Sequence, residues 1–198
     1  MPAHNLCMQI QQTEQAQRAQ QAQQSDRAQF IRSLRSVRRF APTPIPDDIL
    51  REVLDIGRWT GSSKNTQPWQ VVVVRDRDRL RDLATCGTFA GHLAGAAVGL
   101  VLVMEDDNRR LDEGRLAQNL MLAAWAYGIG TCIGTLQPEA NVERAKQLLG
   151  IPLERGVRTT LSVGYPADPQ ALRGSAGGVQ PGRKPMADFL RWETFSDA

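Results

Sequence analysis

Histidine, lysine and cysteine are scarce in this 198-residue chain, and each scarcity closes off a class of chemistry. The two histidines, His4 and His92, and the three cysteines, Cys7, Cys86 and Cys132, form no CxxC or other ligand spacing, so neither a disulfide framework nor a His/Cys metal site is expected. A Ser-His-Asp triad would have to draw on one of two poorly placed histidines. Long apolar runs are missing as well. Nothing approaches the roughly 20 residues that a spanning helix needs, and no basic N-terminal stretch precedes an apolar one. No membrane anchor or secretory signal is read, and the expected location is the cytoplasm. Lysine is confined to Lys64, Lys146 and Lys184, which leaves arginine carrying nearly all of the positive charge. The net charge of +3 is too small, with acidic residues interspersed, to argue for nucleic acid.

What the chain has is 41% hydrophobic and 23% charged residues, enough for one globular domain. On folding, such a chain buries roughly 70% of its surface. Residues 9–29, QIQQTEQAQRAQQAQQSDRAQ, are Gln-rich and nearly free of large apolar side chains, so they cannot bury enough surface to offset their ordering entropy. They are expected to form a mobile tail, with order beginning near Phe30. Because Gln and Ala are good helix formers, an extension of the following helix is the competing reading. The chain thus divides into a tail over residues 1–28 and one domain over 29–198.

Helices alternate with short buried strands along the domain. PTPIPDDILREVLDIGRW places a proline and two acids at a helix start, with Ile49, Leu50, Val53 and Leu54 on one stripe. Strands are expected at Val71–Val74, in AAVGLVLVMEDD and in VRTTLSVGYP. RDRDRLRDLAT reads as a charged surface helix, and NVERAKQLLG as an amphipathic helix capped by Gly150. EGRLAQNLMLAAWAYGIG is apolar around too much of its circumference for a surface helix, so it should be a central helix or a dimer seam. Asp106 and Asp107 read as a solvated strand end, and residues 167–182 as a long loop. The pattern admits α+β or α/β in one domain.

Three stretches are richer than structure alone requires. GSSKNTQPWQVVVV, Gly61 to Val74, packs Ser62, Ser63, Lys64, Asn65 and Gln67 at the mouth of a core strand where a simple turn would do. IRSLRSVRRF holds Arg32, Arg35, Arg38 and Arg39, with Arg35 and Arg38 on one face if helical. This is either a solvated surface or, with Ser36, a grip for an anion, since guanidinium presents paired charge-assisted donors. GIGTCIG, Gly128 to Gly134, departs from G-x-G-x-x-G in spacing and closes a helix instead of opening one, which disfavours a dinucleotide loop. It reads as a helix C-cap and tight turn, or as a turn whose N–H groups at Gly134 or Thr135 approach a flat ligand.

Together LRSVRRF, SSKNTQPW, AQNLMLAAWAYGIGTCIG and the late RKP resemble the FMN-dependent nitroreductase family, over about Phe30 to Trp192. The resemblance implies an α+β, three-layer fold with a central, mainly antiparallel sheet flanked by helices, in an intertwined homodimer. It also implies FMN at the subunit interface and a ping-pong reaction in which NAD(P)H reduces the flavin and a nitroaromatic, quinone or similar small-molecule acceptor then reoxidises it. Arg35 and Ser36 would hold the phosphate and ribityl chain, and Arg38 the N1/O2 edge. Ser62, Ser63 and Asn65 would touch the ring and ribityl, and Lys64 the nicotinamide or substrate. Ile133, Gly134 and Thr135 would lie over the flavin, with the backbone of Gly134 and Thr135 near N5, and Arg183 and Lys184 would clamp the phosphate. No side chain is required as acid or base, because the flavin carries the hydride chemistry. Two departures stand out: Leu34 occupies the place of an expected arginine, and Ile133 that of a bulky aromatic. A flavin-binding or regulatory module without turnover, and a flavin-fragmenting or dehalogenating enzyme on the same fold, are the alternatives.

Overall fold

The computed structural model describes residues 20–170 and 182–195. Strands β1 (Trp69–Val74), β2 (Val98–Met104), β3 (Gly130–Thr135) and β4 (Gly156–Gly164) form one sheet in the order β1-β2-β4-β3. Every ladder is antiparallel, so of the two classes open from the residues alone the α+β one holds.

β2 explains the layering. Successive side chains of a strand point to opposite faces, and a strand covered on both is apolar throughout. Val98, Leu100 and Leu102 join one core with α2 (Asp47–Arg58) and α4 (Arg110–Ala126). Val101 and Val103 join a second core with α3 (Arg77–Ala84) and α5 (Glu139–Leu149). The result is three layers, helix, sheet and helix. The charged start of α4 is tied to the sheet by buried Glu113, whose Oε1 accepts the Thr159 N–H at 2.8 Å. Asp76 caps α3 by accepting the Arg79 N–H, and α5 ends at left-handed Gly150. Asp106 accepts the Asn108 N–H at 2.7 Å in the turn after β2.

Two expectations are corrected. The first concerns LRSVRRF. Helix α1, residues 20–33, ends before it, held to α4 by the Trp125 Nε1–H donating to Ser33 Oγ at 2.8 Å. Arg35 and Arg38 are therefore not on a helical face. The chain from Ser36 runs extended along β3: Ser36 bridges Thr131, the Val37 N–H donates to the Thr131 carbonyl at 2.8 Å, and Phe40 bridges Pro166. Main-chain partners on the open sheet edge override local helix preference. The described part of the Gln-rich tract, from residue 20, is helical, as its competing reading has it, and residues 1–19 lie outside the described residues.

The second correction concerns GIGTCIG. Gly128, at φ 69°, ends α4, but the rest is strand β3 and not a turn. Glycine weakens a strand locally, and it is tolerated where another chain segment approaches closely. Here a Cβ on Gly130 would lie 2.4 Å from Val37 Cγ2. The long loop read over residues 167–182 falls mostly outside the described residues. Among the described residues no helix is long and apolar enough to cross a membrane, and no cluster of three or more His, Cys, Asp or Glu could hold a metal.

Candidate functional site

The open edge of β3 is the natural start. Thr131 turns its carbonyl outward to Val37, while the Leu136 N–H points inward to the Arg158 carbonyl of β4. Backbone direction alternates along a strand, so Ile133 and Thr135 also face outward, and Cys132 and Gly134 face β4. The edge donor beside Gly134 is therefore that of Ile133, with Thr135 the next.

Against this edge opens a pocket of about 480 Å³ lined by Arg38, Phe89, Gly91, His92 and Ile133. That volume falls in the range of small-molecule sites, which are concave and mostly apolar with a few polar groups. Arg38 arrives on the extended segment that follows Ser36. Gly91 and His92 sit on a short 3-10 helix, Gly91–Gly95, ahead of β2. Phe89 is 78% exposed at the pocket wall.

Two titratable groups here are kept neutral. Burial lowers the His92 pKa below its ordinary 6.5 and the Arg38 charge lowers it further, while the carbonyls of Ile133 and Phe89 favour the charged ring. His92 Nδ1 lies 2.8 Å from Ser162 Oγ, and Nε2 is buried without a hydrogen-bond partner. Burial pushes the Cys132 thiol above 9.0, opposed by the Arg38 charge and by hydrogen bonds with Ser36 and Arg38. Arg38 is thus a cation beside a neutral imidazole and a neutral thiol, leaving its charge for a ligand.

The other expected residues fall elsewhere. Arg35 folds its Nη1 onto the carbonyls of Arg32 and Leu34 at the end of α1, and Leu34 packs on the core, which accounts for its apolar character. Arg183 donates to the Gly182 carbonyl ahead of α6 (Met186–Phe189), and both it and Lys184 are exposed. In the Ser62 loop, Lys64, Asn65 and Gln67 all adopt left-handed backbone at φ 51°, 54° and 48°. Such strain in non-glycine residues concentrates at binding sites. Ser62 Oγ braces the loop by accepting the Gln67 N–H at 2.9 Å, while Ser63, Lys64 and Asn65 are exposed.

Sequence reasoning missed Phe89, Gly91 and His92. The available signal was a histidine between two glycines, GHLAG, ahead of the second strand, and it was set aside as catalytically unpromising.

The sequence matches the Nitroreductase family over residues 31–91 and 90–165. The chain belongs to that family. It is 29% identical to an NADH dehydrogenase of Thermus thermophilus, over 67% of this chain and 82% of the relative. Its fold is similar to those of an FMN-dependent nitroreductase from Clostridium difficile and an NADPH:FMN oxidoreductase from Vibrio harveyi complexed with NAD+. The first has TM-score 0.71 and 19% identity, over 84% of this chain and 98% of that one. The second has TM-score 0.71 and 23% identity, over 86% and 78%.

In this nitroreductase chain the two polar regions lie far apart. One row of residues crosses the sheet from Val73 through Leu100 and Leu161 to Ile133. The pocket is at the Ile133 end. The Ser62 loop enters β1 at the opposite edge, three strand spacings or about 14 Å away, and further along the strand at Trp69. Arg38, Ile133 and Ser36 converge within one chain, and Ser62, Ser63, Lys64 and Asn65 do not join them.

Proposed function

We propose that this protein is an FMN-dependent NAD(P)H oxidoreductase of nitroreductase type, a cytoplasmic homodimer with FMN at the subunit interface. The observation that carries the reading is the pocket at the β3 edge, with Arg38, the outward Ile133 amide and the Phe89 ring on one small cavity. A planar redox group with an electron-rich edge fits these residues: an apolar wall, one cation, and a main-chain donor not consumed by the sheet. The orphaned Nε2 of His92, a residue that lines the pocket, is a buried polar group that a ligand can satisfy.

When bound, FMN supplies the hydride chemistry, accepting from NAD(P)H and passing on to a nitroaromatic, quinone or similar acceptor in ping-pong order. Arg38 would hold the N1/O2 edge and stabilise negative charge there. Ile133 would present its backbone N–H toward N5, with Gly134 and Thr135 completing the strand, and Ser36 would contact the ribityl chain. Arg183, Lys184 and Arg35 supply charge for the phosphate once Arg35 leaves its own helix end.

The separation of the Ser62 loop from the pocket supports the dimer. Ser62, Ser63 and Asn65 of one copy complete the site on the other, and Lys64 receives the nicotinamide or acceptor. A visible spectrum of the purified protein tests the reading. It should be yellow, or become so with added FMN, and should bleach with NAD(P)H under anaerobic conditions. A colourless protein that refuses FMN overturns it. Bound FMN that NAD(P)H does not reduce would favour a binding module instead.

A further inference from the structure

His92 has no assigned role, yet its surroundings are specific. Ser162 Oγ is 3.3 Å from the Cys132 carbonyl and 2.8 Å from His92 Nδ1. A carbonyl only accepts, and with the Ser162 hydroxyl donating to it, Nδ1–H is the donor to Oγ. That assignment leaves Nε2 carrying the lone pair, buried and without a partner. The ring lines the same cavity as Arg38.

We propose that His92 is the proton-linked residue of this site, taking a proton at Nε2 when the bound flavin is reduced and releasing it when the flavin is reoxidised. The inference rests on the reading that the pocket holds FMN. Electrons and charge balance as follows. NAD(P)H delivers two electrons and one proton as hydride and leaves as NAD(P)+, so the flavin gains one negative charge. Solvent supplies one further proton to Nε2, and the new imidazolium offsets that charge. The acceptor takes the same two electrons and one proton, which restores the starting charge, and the Nε2 proton returns to solvent.

The protein is built for both states of the ring. In the oxidised state Arg38 stands beside the imidazole and opposes a second positive charge, and burial does the same. The other titratable group there, Cys132, stays neutral and adds no countercharge. Added negative charge in the cavity relieves the repulsion. The backbone of Ile133 and Phe89, which already favours the protonated ring, supports it once formed. Histidine is the side chain whose charge a neighbouring group can move across physiological pH.

The test is the reduction potential of the FMN-loaded full-length protein against pH, with a reference dye. Just above neutrality the wild type should take up two protons per electron pair and His92→Gln one, so the slope of potential against pH is about half as steep in the variant. Equal slopes overturn the inference. A second measurement needs no variant. The chain has only His4 and His92, so the C2–H resonances can be followed by NMR. The His92 midpoint should rise when FMN is reduced, and an unmoved His92 overturns the inference. Bound FMN with either negative result leaves the proposed function standing, whereas failure to bind FMN overturns both.

Discussion

Val37 occupies the space that a side chain on Gly130 would need, and its N–H bonds the next residue of the same strand, Thr131, at 2.8 Å. This contact sets where Arg38 emerges, one residue later. Gly130→Ala should cost about 1–3 kcal/mol by overpacking. It should also weaken FMN binding with Arg38 intact, because the guanidinium shifts with Val37. Thermal melting reads the first effect and flavin fluorescence titration the second.

Arg38→Ala removes the cation from the pocket. Loss of a charge-assisted bond of roughly 1.5–3 kcal/mol predicts FMN affinity lower by about 10- to 100-fold. The same substitution should raise the His92 pKa toward 6.5, because the Arg38 charge is one of the causes lowering it. Titration of the His92 resonance in the apo-protein checks the sign.

Stability should have a plateau bounded by two neutral groups, half-buried His92 and buried Cys132. His92 has a folded pKa below 6.5, so the unfolded chain binds the proton first on acidification. Its contribution is full above 6.5 and lost as pH falls through the folded pKa. Cys132 has a folded pKa above 9.0, so its contribution is full below 9.0 and lost as pH rises through the folded pKa. Melting temperature against pH should fall less steeply on the acid side in His92→Gln and on the alkaline side in Cys132→Ala.

Glu113 is buried with its carboxylate on the Thr159 N–H. Glu113→Ala strands that donor and should cost roughly 1.5–3 kcal/mol. Glu113→Gln keeps an acceptor in place and should recover much of the loss. Chemical denaturation of both variants decides it.

A site assembled from two copies can be tested by mixing. Arg38→Ala and Asn65→Ala should each be nearly inactive alone. After unfolding and refolding together, half the dimers are mixed and each carries one intact site, so activity should return to about a quarter of wild type. No recovery would mean that both residues serve one chain's own site.

The layered fold was legible in the sequence because its cues were local. Val71–Val74 and the apolar run through Leu100 and Leu102 are long enough to read as strands, and Gly150 sits where a helix must stop. What escaped reading depends on pairing. Gly130–Thr135 is glycine-rich and becomes a strand only because β4 and the Ser36–Val37 segment flank it. Arg35 and Arg38 fit a helical face in spacing, but the competing partner, the open edge of β3, lies nearly a hundred residues on. Arg38 and Ile133 were expected at the site through family resemblance, and both line the pocket. His92 was not, since its value comes from Ser162, seventy positions away, which fixes the ring.

The three left-handed residues Lys64, Asn65 and Gln67, with Ser62 Oγ on the Gln67 amide, have a further consequence. A segment held in conformations that free peptides avoid has already given up its freedom when the chain folds. If this loop borders the FMN site as proposed, an incoming ligand meets a rim cast in advance, and little of its binding free energy is offset by ordering the protein. Replacing Lys64 and Asn65 together by glycine should therefore leave the fold intact while slowing capture, as the rim must be shaped anew at each encounter.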